Sequence, residues 1–175
     1  MARTVTVLES DRLRLRELRQ EDFSALYAMF NDPLVMRYYP STRDEAATQE
    51  WLDRMFSYYA ESGLGLWAIE LKDQAQFVGQ CGLLLQDVDG IEELEIGYLL
   101  ASAHWHQGYA TEAARACKKH AFEVLGRDHV ISLIRPINGP SRAVAMRNGM
   151  TVWKTTTFRG FETLVYRVDA TAKGA

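Results

Sequence analysis

Two hydrophobic periods alternate along the chain. Leu13, Leu15 and Leu18 are interleaved with arginines, a spacing that predicts a first strand. Phe23, Leu26, Tyr27 and Phe30 then fall at i, i+3, i+4 and i+7, the spacing of one helix face, and Asn31-Asp32-Pro33 stops that helix. Thr42 with Glu45 three residues on has the form of a capping box, and Trp51, Leu52, Met55, Phe56 and Tyr59 make the apolar face of a second helix. Three strands follow as a meander, over 66–71, 77–85 and 93–100. They are separated by the turn compositions Lys72-Asp73-Gln74 and Asp87-Val88-Asp89-Gly90.

A third helix is predicted over 108–125, with Ala110, Ala113, Ala114, Cys117, Ala121 and Val124 on one face. These side chains are small, so the helix can approach a sheet closely. A strand at 129–134 precedes "PINGPSRAVAMRNGM", where Asn138 can cap a short helix and Gly149 can end it. Segments 152–157 and 163–168 read as an antiparallel pair around Arg159-Gly160. The order βαα, βββ, α, β, α, ββ predicts a mixed α/β (α+β) fold. With no repeat and no internal linker, residues 1–175 are expected to form one domain, long enough for a sizeable core.

Composition narrows the function classes. The formal charge of −3 provides no basic field, and the arginines crowded between Arg3 and Arg19 alternate with leucines as in a strand, so nucleic acid is not an expected partner. There is no run of 18 apolar residues and no signal-peptide core at the N-terminus, which leaves the cytoplasm as the expected compartment and no membrane role. Cys81 and Cys117 make no disulfide framework and read as buried reduced thiols.

The stretch "LEIGYLLASAHWHQGYATEA" carries the first chemical signal. An apolar strand stalls and then enters an alanine-rich helix whose first residues bear no phosphate-ligating side chain. The first N–H groups of a helix have no intrahelical partner and sit at the positive end of its dipole, so this arrangement can hold an anion by backbone alone. Gly108 and Ala110 are small enough to let the anion approach. A plain tight turn before a helix uses the same residue types.

With "SDRLRLRELRQEDF", "EIGYLL", "WHQGYATEA" and "NGPSRAVAMRNGM" in this order, almost the whole chain resembles the GNAT superfamily of N-acetyltransferases. Within it, the chain is similar to the RimJ/RimL-like ribosomal-protein N-terminal acetyltransferases. The resemblance implies the GNAT fold, a mostly antiparallel sheet of about seven strands splayed between the fourth and fifth, with about four helices. It also implies acetyl-CoA as cosubstrate and no metal. The family's phosphate loop reads Gln/Arg-x-x-Gly-x-Gly/Ala. Here Gly108 and Ala110 supply its small residues, Trp105 stands in the first position, as is usual in the subgroup, and His106 stands where glycine is frequent. By resemblance, residues His106, Gln107, Gly108, Tyr109, Ala110 and Thr111 would hold the pyrophosphate. The backbone of Tyr98, Leu99 and Leu100 would bond the pantetheine like an extra strand. The zinc constellation suggested by His104, His106, Cys117 and His120 is discounted, because His106 falls in that loop and Cys117 on a buried helix face.

Acetyl transfer to an amine needs a neutral amine, a route for its proton and stabilisation of the leaving thiolate. Glu95, on the strand that meets the thioester, is the candidate base. Read alone, it is equally a solvated charge beside Glu92 and Glu93. Asn138 and Ser141 match the family's Asn-x-x-Ser: Asn138 would bond the pantetheine amide and Ser141 would donate to the leaving sulfur. Helix capping asks for the same two residue types. The tyrosine that many relatives place seven residues after the Asn is Ala145 here. Around the acceptor amine the resemblance implies Met36, Arg37, Tyr38 and Tyr39 with Phe158, Arg159 and Phe161, aromatics that a core also uses. The expected activity is direct attack of a primary amine, from a protein N-terminus or a small molecule, on acetyl-CoA. The alternative is a non-catalytic acyl-CoA-binding module. Homodimers are common in the resembled group.

Overall fold

The computed structural model describes residues 5–171. In chain order the elements are β1 (Thr6–Glu9), β2 (Leu13–Arg16), α1 (Phe23–Phe30), α2 (Glu45–Ser62), β3 (Gly65–Leu71), β4 (Gln76–Val88), β5 (Ile91–Leu100), α3 (Tyr109–Glu123), β6 (His129–Ile134), α4 (Gly139–Arg147), β7 (Thr151–Phe158) and β8 (Phe161–Asp169). The strands make one sheet in the order β1-β2-β3-β4-β5-β6-β8-β7, with every neighbouring pair antiparallel except β5 and β6. This is the mixed fold the hydrophobic pattern implied, with β1 added. That strand has four residues and no fully buried position, so it leaves no alternating apolar signature.

Two local readings need correction. The cap of α2 is Asp44, whose carboxylate accepts from the Ala47 N–H at 2.8 Å, and Thr42 lies ahead of the helix. An ionised oxygen at the positive end of the helix is the stronger acceptor there. Val124 is 68% exposed, because α3 ends at Glu123 before the small face comes round again. The arginines of the first segment differ in their surroundings. Arg16 is buried, paired with both oxygens of Asp22 at 2.8 and 2.9 Å and with Glu70 at 2.9 Å, while Arg3 lies outside the described residues.

The core lies on both faces of the sheet. On one face α3 presses Ala113, Ala114, Cys117 and Ala121 against Trp67, Ile69, Cys81 and Ile96. On the other, α1 and α2 bury Leu26, Met29, Phe30, Leu52 and Met55 over Leu66 and Ala68. Cys81 and Cys117 are buried free thiols with their sulfurs 3.6 Å apart.

The sheet parts where its one parallel pair sits. β5 and β6 register only at Glu95 and Ile131. Beyond that point β5 continues to Leu100 paired with β4, and β6 continues to Ile134 paired with β8. These are the strands expected as fourth and fifth, renumbered because β1 precedes them. Side chains bridge the gap: Ser132 Oγ donates to the Ile96 carbonyl at 2.8 Å, and the Tyr98 hydroxyl donates to the Ser141 carbonyl at 2.7 Å.

Candidate active site

At the end of β5 the chain makes a short 3-10 turn and enters α3 through two left-handed residues. His106 has φ 61° and Gly108 has φ 80°. The first explains why glycine suits position 106, since an L side chain pays a modest strain there that histidine is among the better residues to bear. Among the described residues no side chain caps α3, and its first internal bond runs from the Glu112 N–H to the Gly108 carbonyl at 3.0 Å. The N–H groups of Tyr109, Ala110 and Thr111 therefore precede the helical ladder. The Trp105 indole donates to the Leu100 carbonyl at 2.9 Å and ties the loop back to the strand it leaves.

Arg12 completes this helix mouth. Its Nη1 donates to the Gln107 carbonyl at 2.9 Å, its Nε meets Glu112 at 2.7 Å, and its guanidinium lies 4.5 Å from the Tyr109 ring centre. Partial burial would raise Glu112, but hydrogen bonds from Ser10 and Arg12 outweigh it and hold the carboxyl below its ordinary value. The acid in the first turn is thereby neutralised. A cleft of about 860 Å³ opens here, lined by Tyr98, Leu99, Leu100, His106, Gly108, Tyr109, Ala110, Thr111, Asn138 and Ser141, and flanked by Arg12, Arg37, Arg115 and Arg147. Gln107 is absent from this lining and presents its carbonyl to Arg12 instead.

A second cavity, of about 420 Å³, lies on the other side of the parted strands. Tyr38, Tyr39, Tyr98, Leu99, Asn138 and Ser141 line both spaces, so the two are joined at the gap. Glu95, Phe158, Arg159 and Phe161 face the second cavity, as does Met36, while Arg37 faces the cleft. Glu95 is therefore not a solvated strand charge. Its Oε2 accepts from Gln86 Nε2 at 2.7 Å, and burial raises its pKa against the pull of Gln86, the Leu133 N–H and the Arg159 charge. Glu93, on the same strand, is buried and bound to His129 at 2.5 Å.

Asn138 caps α4 by accepting from the Ser141 N–H at 3.2 Å. The Ser141 carbonyl takes the Tyr98 hydroxyl, and among the described residues no hydrogen bond engages Ser141 Oγ. Ala145 is buried in the core. The four residues of the zinc alternative are dispersed: His104 and His106 are on the cleft wall, Cys117 is against Cys81, and the His120 ring is edge-on to Trp67. Among the described residues no group of three His, Cys, Asp or Glu is placed to hold a metal ion.

Sequence reasoning did not single out Arg12, Gln86, Arg43, Arg54 or Arg135. For Gln86 a signal existed. The turn at Asp89-Gly90 sets Gln86 opposite Glu93, which makes it the diagonal neighbour of Glu95. The arginines carried none, because they reach the site from separate parts of the chain.

The Acetyltransferase (GNAT) domain family matches residues 12–151. The chain belongs to the GNAT acetyltransferase family. It is 40% identical over 151 residues to the uncharacterized protein YkkB of Bacillus subtilis (strain 168), covering 86% of this chain and 88% of that one. An acetyltransferase structure from Agrobacterium tumefaciens str. C58 superimposes with a TM-score of 0.82 at 30% identity, over 97% of this chain and 96% of the other. The fold is also that of Mycobacterium smegmatis RimJ, with a TM-score of 0.69 at 23% identity, covering 90% and 82% of the two chains. Among the described residues no helix is long and apolar enough to cross a membrane.

Proposed function

We propose that this acetyltransferase moves the acetyl group of acetyl-CoA directly onto a primary amine, with both bound at once. The observation that carries this reading is the meeting of the two spaces at the parted strands, with Glu95 on one side and an uncapped helix mouth on the other. Coenzyme A fits the cleft on this chain's own features. The N–H groups ahead of the α3 ladder and the Arg12 guanidinium suit a pyrophosphate, and the β5 edge beyond Glu95 has no strand partner on the β6 side.

The cosubstrate supplies a thioester, activated for attack by an amine. The chain's residues do the rest. Leu99 and Leu100 on the open edge and the Asn138 side chain orient the pantetheine arm. Glu95 takes the proton of the attacking amine, directly or through water, and its burial holds it closer to the amine in basicity than a solvated carboxylate would be. Ser141 Oγ donates to the departing sulfur. Tyr38, Tyr39, Phe158 and Phe161 enclose the acceptor. Thiol release from acetyl-CoA across a panel of primary amines tests the reading. Turnover with at least one amine is expected, whereas coenzyme A binding with no thiol release from any amine would make the protein an acyl-CoA-binding module instead.

A further inference from the structure

The acceptor cavity has an unbalanced set of charges. Arg43, Arg54, Arg135 and Arg159 line it, and among the described residues that do so Glu95 is the one carboxylate. Arg135 is already engaged, donating to the Tyr38 carbonyl at 3.0 Å and lying 4.4 Å from the Phe161 ring centre. Arg43 and Arg159 rest on rings: Arg43 is 4.6 Å from both Phe30 and Trp51, and Arg159 is 5.1 Å from Phe158. Among the described residues no ion pair includes Arg43, Arg54 or Arg159. Arg43 feels the other two. Burial first, and the charges of Arg54 and Arg159 after it, push the Arg43 guanidinium below its ordinary value against the opposing influence of Tyr39.

Arg43 is half-buried and Arg54 and Arg159 are exposed, so solvent moderates their mutual repulsion, yet three guanidiniums facing one carboxylate leave a net positive wall. A polycationic acceptor would add to it, and an anion would relieve it with charge-assisted hydrogen bonds. We propose that the acceptor is a small amine carrying a carboxylate or phosphonate, held by Arg43, Arg54 and Arg159 while its amino group faces Glu95. This rests on the acetyl-transfer reading above and names the substrate class for that site. A space of about 420 Å³ is of small-molecule size, and the rings around it favour a flat apolar body between amine and anion.

The test uses two acceptors of the same size and ring, 4-(aminomethyl)benzoate and 4-(aminomethyl)benzamide, which differ in charge. Thiol release gives kcat and KM for each, and calorimetry with coenzyme A present gives their affinities. The benzoate is expected to be preferred about tenfold or more, mainly through KM. Arg43→Gln, Arg54→Gln and Arg159→Gln should each shrink that ratio, whereas Lys119→Gln, on the exposed face of α3, should leave it unchanged. Three separate variants keep the test valid if one fails to fold. If the benzamide, spermidine, kanamycin or a peptide N-terminus is acetylated as well as the benzoate or better, the anion site is overturned while acetyl transfer stands. If no amine releases thiol, acetyl transfer is what fails, and calorimetry still decides this proposal: tighter binding of the benzoate upholds it and equal binding overturns it.

Discussion

Replacing Glu95 with Gln separates a base from a structural carboxylate. The side chain accepts from Gln86 Nε2 at 2.7 Å, and the nearby Leu133 N–H favours its charged form. An amide oxygen can still accept from Gln86, but its N–H₂ group replaces an acceptor beside the Leu133 N–H, at a cost of at most about 1–3 kcal/mol in stability. The fold should survive that, and coenzyme A affinity should hold because the phosphate mouth lies across the gap. Turnover at neutral pH should fall about 10²-fold or more, which corresponds to about 2.7 kcal/mol in the barrier. The wild-type rate should decline as pH falls through the raised pKa of Glu95, because only the deprotonated form takes a proton, and Glu95→Gln should lack that limb. An acceptor amine with pKa near 10 gains about two orders of magnitude in its neutral fraction between pH 7 and about 9.5, so the deficit of the variant should shrink over that range. Steady-state thiol release at saturating acetyl-CoA, measured across this interval, provides the readout. Unchanged turnover at pH 7 would refute the assignment. So would an equal deficit at every pH, the sign of disturbed packing.

Gly108→Val should weaken coenzyme A binding by calorimetry at least tenfold while the circular dichroism spectrum is kept, since φ 80° suits glycine and a branched side chain would stand at the helix mouth beside Arg12. Pantetheine, which lacks the pyrophosphate, should bind far more weakly than coenzyme A; comparable affinities would remove the anchoring role of the α3 N–H groups. Arg16→Met should destabilise the protein by about 3–5 kcal/mol in urea melts, because it leaves the buried Asp22 without its cation and Glu70 with Arg14 alone. A loss below about 1 kcal/mol would refute the buried ion-pair reading.

Much of this was legible where the signal is local. The meander, the small face of α3, the Asn138 cap and the helix mouth each follow from residues close in sequence, and the structure places them as the pattern implied. Features that depend on distant partners were not legible. Arg16 reads as one of several alternating strand cations until Asp22 and Glu70 are brought onto it. The burial of Glu95 depends on walls supplied by α2, β6 and the β7–β8 turn. The arginines of the acceptor cavity are separated by up to 116 positions, from Arg43 to Arg159, and each has the look of an ordinary surface charge in its own neighbourhood.

The parted strands also bear on how the protein avoids sticking to itself. Two strand edges with unpaired backbone groups invite pairing with any extended segment that can reach them, and most sheets protect such edges with charge or bulges. Here both edges face inward, and the Tyr98–Ser141 and Ser132–Ile96 bonds span them. The gap is flanked by residues of α3 and α4, which cover it on the side of the cleft. The β5 amides past Glu95 that point away from β4 should then exchange with deuterium quickly in the free protein and slowly with coenzyme A present. An edge that would be an aggregation hazard in an open sheet is thus turned toward the ligand cleft.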